Sequence, residues 1–238
     1  MIPADVRSQF TVTDVELKAE LLHSTDWFTD ELFSRPDCTV AYYPVSRVVV
    51  DPERFVSDDE EAMARVGRGV IYSHCVDGRP LRRALTASER QSLLDRFYRP
   101  HHAAFEEITA AALSLDQKAL IIDAHSFPAI PWQVEQYQDR RRPDFCVGSD
   151  PFHTPTYLAE AALAFFESRG FNARLNWPYG GAIVPTRYYR TEPTVHALMI
   201  EVNRALYMDE STGVRSARFE EIKRTIQEVC SQLHRLRA

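Results

Sequence analysis

The chain has 238 residues, 45% hydrophobic and 26% charged, which is ordinary globular composition and fits one large domain. A formal net charge of −6 argues against a non-specific nucleic-acid binder, whose footprint is basic. No apolar run approaches the roughly 20 residues of a spanning helix, and Met1-Ile2-Pro3-Ala4-Asp5 lacks the basic and apolar blocks of a signal peptide, so a cytoplasmic, membrane-free protein is expected.

In chain order, residues 14–33 read as a helix, with Leu17, Leu21, Leu22, Phe28, Leu32 and Phe33 forming an imperfect apolar face. Short strands are expected at 39–43, 47–50 and 69–73. Thr86-Ala87-Ser88-Glu89 is a capping box, which opens a helix towards Ala112 with a bend or interruption at Pro100. Residues 118–124 read as a buried central strand, followed at 127–150 by a long loop of the kind that is often functional. A helix begins at Thr154-Pro155 and ends at Gly170. Further strands are expected at 172–176 and 195–202, and the tail at 216–237 is an amphipathic helix whose stripe runs from Phe219 to Leu233. Alternating helices and apolar strands predict an α/β sandwich with helices on both faces of a sheet. Neither G-x-G-x-x-G nor a P-loop is present, so nucleotide binding has no motif behind it. The four cysteines, 38, 75, 146 and 230, show no CxxC spacing and are read as free, mostly buried thiols.

The central strand runs straight into Asp123-Ala124-His125-Ser126-Phe127-Pro128. Ligands in α/β proteins bind at the carboxyl ends of strands, and a His delivered there can hold a metal or move a proton. The competing reading is a hydrogen-bonded structural His. Glu201 lies inside the apolar run Leu198-Met199-Ile200-Glu201-Val202. Burying a carboxylate is unfavourable unless it is paired or functional, and apolar surroundings raise its pKa towards that of a useful proton carrier. Its bland alternative is a salt bridge to Arg204 or Arg47. Asp26, after His23-Ser24-Thr25, reaches a metal if its helix end faces His125, whereas Asp30 reads as a solvated helix charge. Of the pair His101-His102, one is expected to line a pocket; His74, His153 and His234 are taken as structural. Arg47 and Arg54 bracket the triplet at 48–50, Arg140-Arg141-Arg142 concentrates positive charge, and Asn176-Trp177-Pro178-Tyr179-Gly180-Gly181 is a polar, aromatic turn. Several guanidinium forks around one pocket suit a small, doubly anionic ligand. Surface ion pairs are the ordinary alternative.

Seven ordered segments resemble the N-formylglutamate amidohydrolases (N-formylglutamate deformylases). They are the runs 25–33 (Thr-Asp-Trp-Phe-Thr-Asp-Glu-Leu-Phe) and 46–55 (Ser-Arg-Val-Val-Val-Asp-Pro-Glu-Arg-Phe), Tyr98-Arg99-Pro100-His101-His102, the segment 123–128, Arg142-Pro143-Asp144, the turn 176–181, and 199–207 (Met-Ile-Glu-Val-Asn-Arg-Ala-Leu-Tyr). The resemblance implies a three-layer αβα sandwich with a mixed sheet, akin to the zinc carboxypeptidases (phosphorylase/hydrolase-like). It implies hydrolysis of N-formyl-L-glutamate to L-glutamate and formate in histidine breakdown, with one Zn2+ per chain. By the same similarity His125 is a zinc ligand, Asp26 a second ligand and Glu201 the general base. Arg47, Arg54, His102, Arg142, Asn176 and Tyr179 are implied to bind the substrate. Family members carry a Pro-His-Ser/Ala-Gly segment shortly before the point where Met1 stands here, so a single domain over 1–238 without that segment is expected. Two other readings stay open: a metal-free member that binds a small acidic amino acid, and a hydrolase for another N-acyl amino acid.

Overall fold

Strand pairing around residues 119–203 organises the computed structural model, which describes residues 1–236. The helices are α1 (Asp14–Ser24), α2 (Thr29–Leu32), α3 (Ala87–Leu93), α4 (Arg99–Asp116), α5 (Thr156–Ser168) and α6 (Phe219–Leu236); the strands are β1 (Ala119–Phe127), β2 (Phe145–Gly148), β3 (Ala173–Leu175), β4 (Val195–Asn203), β5 (Met208–Asp209) and β6 (Val214–Arg215). Among the described residues no helix is long and apolar enough to cross a membrane. The chain divides into two compact units, each gathered from separate stretches of sequence.

The first unit comprises Met1–Thr25, Tyr42–Ala104 and Pro131–Gln138. Thr13 opens α1 with a full capping box to Glu16, and Thr86 does the same for α3 with Glu89. The expected strands at 47–50 and 69–73 do not form; both stretches are irregular, as is 39–43. The reason lies in how the apolar triplet is satisfied. Val48, Val49 and Val50 are all fully buried, so no side faces water, and the carbonyls of Val48 and Val49 accept from the buried Arg82 guanidinium rather than from a ladder. Nor does Pro100 break its helix. Residues from Ala87 to Asp116 stay helical through a π turn at Leu94–Tyr98. Proline has no N–H and its ring crowds the carbonyl four residues back, so a widened turn just upstream accommodates it. The helix also outlasts its expected end at Ala112, stopping where Gln117 turns left-handed.

The second unit comprises Asp26–Ala41, Phe105–Ile130 and Asp139–Ala238. Its four-stranded sheet has the order β1-β4-β2-β3. β1 and β4 are parallel, β2 runs antiparallel to β4, and β3 is parallel to β2, so the sheet is mixed. Residue alternation assigns the faces. Leu198, Ile200 and Val202 of β4 enter the large core with α5 and α6, together with Leu120 and Ile122 of β1. Val195 and Ala197 instead join Ala119 and Ile121 beneath Ala112 and Leu113 of α4. Helices therefore pack on both faces of the sheet. Period two then puts Asp123, His125, Met199 and Glu201 on the α4 face, at the carboxyl ends of their strands.

The helices that cover the large core follow their sequence signals. α6 buries Phe219, Ile222, Ile226, Val229, Cys230 and Leu233 on one stripe, and each fully buried aliphatic contributes about 1.5–3 kcal/mol. The expected end of this helix at Arg237 lies outside the described residues. α5 starts at Thr156 with Pro155 at its N-cap, and closes on a Schellman motif: Phe171 N–H donates to Phe166 O and Gly170 N–H to Glu167 O, with Gly170 at φ 80°. The stretch expected as one long loop contains β2. The first predicted helix is broken: α1 ends at Ser24, and α2 starts only after Phe28 adopts a left-handed φ of 64°. Asp26 therefore sits in a bend and not on a helical face shared with Asp30.

Candidate functional site

The chemistry-bearing residues of the second unit gather where β1 and β4 end. The β1–β4 register sets His125 opposite Glu201 and Asp123 opposite Met199. Directly paired residues point to the same side of a sheet, so the imidazole and both carboxylates share one face. All three are buried, with Asp123 at 9% and His125 and Glu201 at 7% exposure. Asp123 is fixed through Oδ2, which accepts the Ile183 N–H at 2.9 Å; its Oδ1 stands 2.9 Å from His125 Nε2. On the other side of the ring, Nδ1 lies 3.6 Å from Asp26 Oδ2. Asp26 Oδ1 accepts from Ser126 N–H at 2.9 Å and from Ser126 Oγ at 2.7 Å, while Arg204 Nη2 lies 3.4 Å away. The bend after α1 is what lets Asp26 reach β1.

β2 places Cys146 opposite Glu201 from the other neighbouring strand. Burial, with the Glu201 charge adding to it, pushes the Cys146 thiol up to about 12. The Cys146 thiol donates to Tyr179 O at 3.0 Å, which ties the turn after β3 to the sheet. Arg142 donates through Nη1 to Pro128 O at 3.2 Å and to Tyr179 Oη at 3.1 Å. Its guanidinium carbon lies 5.8 Å from the Phe127 ring centre and 5.7 Å from that of Tyr179. The next residue is anchored to β4, since Asn203 Nδ2 donates to Pro143 O at 3.0 Å. Arg142 and Tyr179 are thus brought together at the end of β1. Asn176 bonds to Ser149: its amide oxygen accepts from Ser149 N–H and its amide nitrogen donates to Ser149 Oγ, both at 2.8 Å.

In the first unit the arginines that bracket the triplet meet at one carboxylate. Asp51, fully buried, is 3.1 Å from Arg47 Nε and 3.5 Å from Arg54 Nε, and it accepts the Tyr72 hydroxyl at 2.5 Å. Burial opposes its charge, but Arg47 and Arg54 outweigh that and hold Asp51 at about 2. Arg47 Nη2 also donates to Glu53 at 3.3 Å. His102 Nε2 lies 2.7 Å from Pro52 O and its ring packs 4.2 Å from that of Tyr98. Burial keeps His101 neutral, lowering it to about 4.

Three contributors are not placed at the site by the sequence: Asp123, Asp51, and Arg204, which is read there only as a salt-bridge partner for Glu201. Asp123 carried a usable signal, because Asp-x-His on a strand puts both side chains on one face. Arg204 carried none, since its partners Ser126 and Asp26 lie 78 and 178 residues away. Several other residues play ordinary structural parts. Arg141 pairs with Asp139 on the surface, and His153 is a buried structural His, its ring contacting Val195 O and Arg190 N–H.

A sequence profile describing the N-formylglutamate amidohydrolase family matches residues 1–208. The chain is similar to the N-formylglutamate deformylase of Pseudomonas aeruginosa, with 29% identity over 228 residues that span 91% of this chain and 84% of that protein. Its structure is similar to the crystal structure of N-formylglutamate amidohydrolase from Ralstonia eutropha JMP134, with a TM-score of 0.81 at 24% identity over 100% of this chain and 89% of that one. A gene product of Agrobacterium tumefaciens shares the fold with a TM-score of 0.63 at 18% identity, covering 98% of this chain and 87% of that one.

Proposed function

This chain belongs to the N-formylglutamate amidohydrolase family, and on that premise we propose that it hydrolyses the amide of N-formyl-L-glutamate to L-glutamate and formate. The observation that carries the reading is the pairing of His125 with Glu201 at the ends of β1 and β4, with Asp123 on the same face. A hydrolase of a linear amide needs an electrophilic anchor for the carbonyl and a proton carrier beside it. That face offers donors for the first and a buried carboxylate for the second.

Two donors of the kind a zinc ion takes stand together here. An imidazole nitrogen and a carboxylate oxygen are ordinary zinc ligands, and His125 Nε2 and Asp123 Oδ1 face each other with the carboxylate already anchored from behind. We assign these two to hold the metal. Asp26, expected as a second ligand, has Oδ1 committed to Ser126 and Arg204, and we place it behind His125. A bound zinc ion would polarise the formyl carbonyl and make water more acidic.

The protein's own groups do the rest. Glu201 takes a proton from the water that adds to the formyl carbon. As the carbon–nitrogen bond breaks, the bonding pair returns to nitrogen and Glu201 delivers the proton there, releasing formate and a free amine. Arg142, packed beside Phe127 and Tyr179, is assigned to a substrate carboxylate, with Tyr179 as its support. The family resemblance implies that Arg47, Arg54 and His102 also bind substrate, and Asp51 pairs with both of those guanidiniums. The zinc-carboxypeptidase-like character of the sandwich, a role in histidine degradation and a cytoplasmic location belong to the same proposal.

Formate release tests it. The protein with zinc turns over N-formyl-L-glutamate, and Glu201→Gln lowers kcat by about 10²–10⁴-fold while the metal stays bound. Near-normal turnover in Glu201→Gln disposes of the base assignment.

A further inference from the structure

Tyr72 is fully buried in the first unit, and its hydroxyl donates to Asp51 Oδ2. That oxygen is crowded, with Arg47 Nε 3.1 Å and Arg54 Nε 3.5 Å away. The other oxygen, Oδ1, accepts the Glu53 N–H at 3.1 Å and lies 3.5 Å from Arg47 Nη2. Arg47, Glu53 and Arg54 are close neighbours of Asp51 in sequence and move with its loop, whereas Tyr72 reaches the carboxylate from 21 residues away. Tyr72 is itself braced. The Arg68 guanidinium lies 4.0 Å from its ring centre, and Arg68 is held by a buried ion pair with Glu20 at 2.8 Å and by donation to Ser24 Oγ at 3.0 Å. A cation over the face of an aromatic ring is attracted to it, so the phenol has one place to stand. The two arginines reach outward from this dry centre: their side chains keep 20% and 30% of their surface, and that of Asp51 keeps none.

We propose that Tyr72 is a positioning residue for substrate binding: its hydroxyl fixes the plane of the Asp51 carboxylate, and so sets how Arg47 and Arg54 present their guanidiniums to a dicarboxylic ligand. This rests on, and deepens, the reading of Arg47 and Arg54 as substrate-binding residues. A guanidinium fork grips a carboxylate well when its plane and edge are set beforehand; otherwise a long side chain gives up its freedom only as the ligand arrives. A hydrogen bond to an ionised acceptor is strong, and stronger in dry surroundings. It holds the Asp51 carboxylate against rotation, and the guanidiniums paired with that carboxylate keep one orientation. Without the hydroxyl, Asp51 keeps its charge and its arginines but loses the donor that comes from outside its loop. Binding is then weakened, while bond breaking, which is assigned to Glu201, is spared. A hydroxyl that served the fold alone would leave affinity untouched.

The test compares the wild type with Tyr72→Phe, both supplied with zinc; the substitution deletes one oxygen and leaves the ring under Arg68. Formate release gives KM and kcat for N-formyl-L-glutamate, and calorimetry gives Kd for glutarate, a dicarboxylate with no amide to cleave. Thr86→Ala, which removes the cap of α3, is the control for stability lost away from the arginines. In Tyr72→Phe, KM and the glutarate Kd are expected to rise together by about 3–10-fold, with kcat within about twofold of wild type. Thr86→Ala is expected to lower the urea midpoint and leave KM and Kd alone. A folded Tyr72→Phe protein with KM and Kd unchanged overturns the proposal, whatever its midpoint, and so does a fall in kcat alone. An equal rise of KM and Kd in Thr86→Ala overturns it as well, because general loosening would then explain the effect. A wild type that binds glutarate but releases no formate removes the assigned reaction instead, and the glutarate Kd still decides the role of Tyr72. A wild type that binds no glutarate overturns the proposal.

Discussion

His125 and Glu201 are register partners on neighbouring parallel strands, so the imidazole and the carboxylate leave the sheet on one face, a strand spacing apart. Asp123, two residues before His125, shares that face and presents Oδ1 to the ring. His125→Ala is therefore expected to lose stoichiometric zinc, and Asp123→Asn to weaken it by more than tenfold, both with far-UV circular dichroism unchanged. Metal analysis of dialysed protein reads the result; zinc retained in both variants counts against the donor assignment.

Arg142 gives a second expectation. Its fork is set by Pro128 O and the Tyr179 hydroxyl and flanked by two aromatic rings, a geometry that lysine cannot reproduce. Arg142→Lys should raise KM for a dicarboxylic substrate by about tenfold or more and change kcat much less, since a carboxylate held equally in ground and transition states affects binding alone. A fall in kcat with KM unchanged would remove Arg142 from that role.

Asp51 links the first unit to pH. Its folded pKa of about 2 lies below the unbound value of 3.8, so its ionised form stabilises the fold at neutral pH, by about 2 kcal/mol. That contribution is complete above about pH 4 and disappears as the pH falls through about 2. Urea unfolding at a series of pH values should show the loss, and Asp51→Asn should be less stable at pH 7 by about 3 kcal/mol because two arginines lose their shared partner. A variant as stable as wild type at pH 7 would show the cluster to be energetically idle.

A third unfolding experiment concerns Gly148 in β2. A Cβ built there runs into Gly181 O and the Met199 Cε, and stands 2.9 Å from the Met199 Cβ. The end of the methionine can swing aside, but its Cβ and the backbone carbonyl cannot. Gly148→Ala is expected to lower stability by about 1–3 kcal/mol, measured as a reduced urea midpoint at unchanged m-value. No shift in the midpoint would mean that the β2 backbone yields more easily than this packing suggests.

Thiol labelling separates the cysteines. Cys38 is exposed; Cys75, Cys146 and Cys230 are buried, and burial pushes each of those three up to about 12. Iodoacetamide at neutral pH should add one adduct to the native protein and four after denaturation, counted by mass spectrometry. Rapid native labelling of Cys146 would mean that the Glu201 face is open to reagent.

What could be read from the sequence was whatever depends on neighbours in sequence. The stripe of α6, the capping box at Thr86 and the apolar strands β1 and β4 are local patterns, and each appears where its pattern stands. Long-range satisfaction was invisible. The triplet at 48–50 looks like a strand until Arg82 supplies its carbonyls with donors. The helix expected through residue 33 breaks because Phe28 turns left-handed, where its ring packs 5.5 Å from that of Phe219 and beneath Arg215. At the site, His125 and Glu201 stood out as polar residues in apolar strands. Arg204 takes its role only from residues far away in the chain, whereas Asp51 is met by its near neighbours Arg47 and Arg54 and by the more distant Tyr72.

The π turn at Leu94–Tyr98 takes up one residue more than an α turn would. An α-helix advances about 100° per residue and the wider turn advances less, so the residues after it keep the phase of a helix one residue shorter. In that phase His102 reaches Pro52 O and His101 meets the Tyr43 ring edge-on at 5.0 Å. The surplus residue is thus absorbed as girth and not as rotation, and excising it would narrow the rod while leaving both imidazoles aimed as they are.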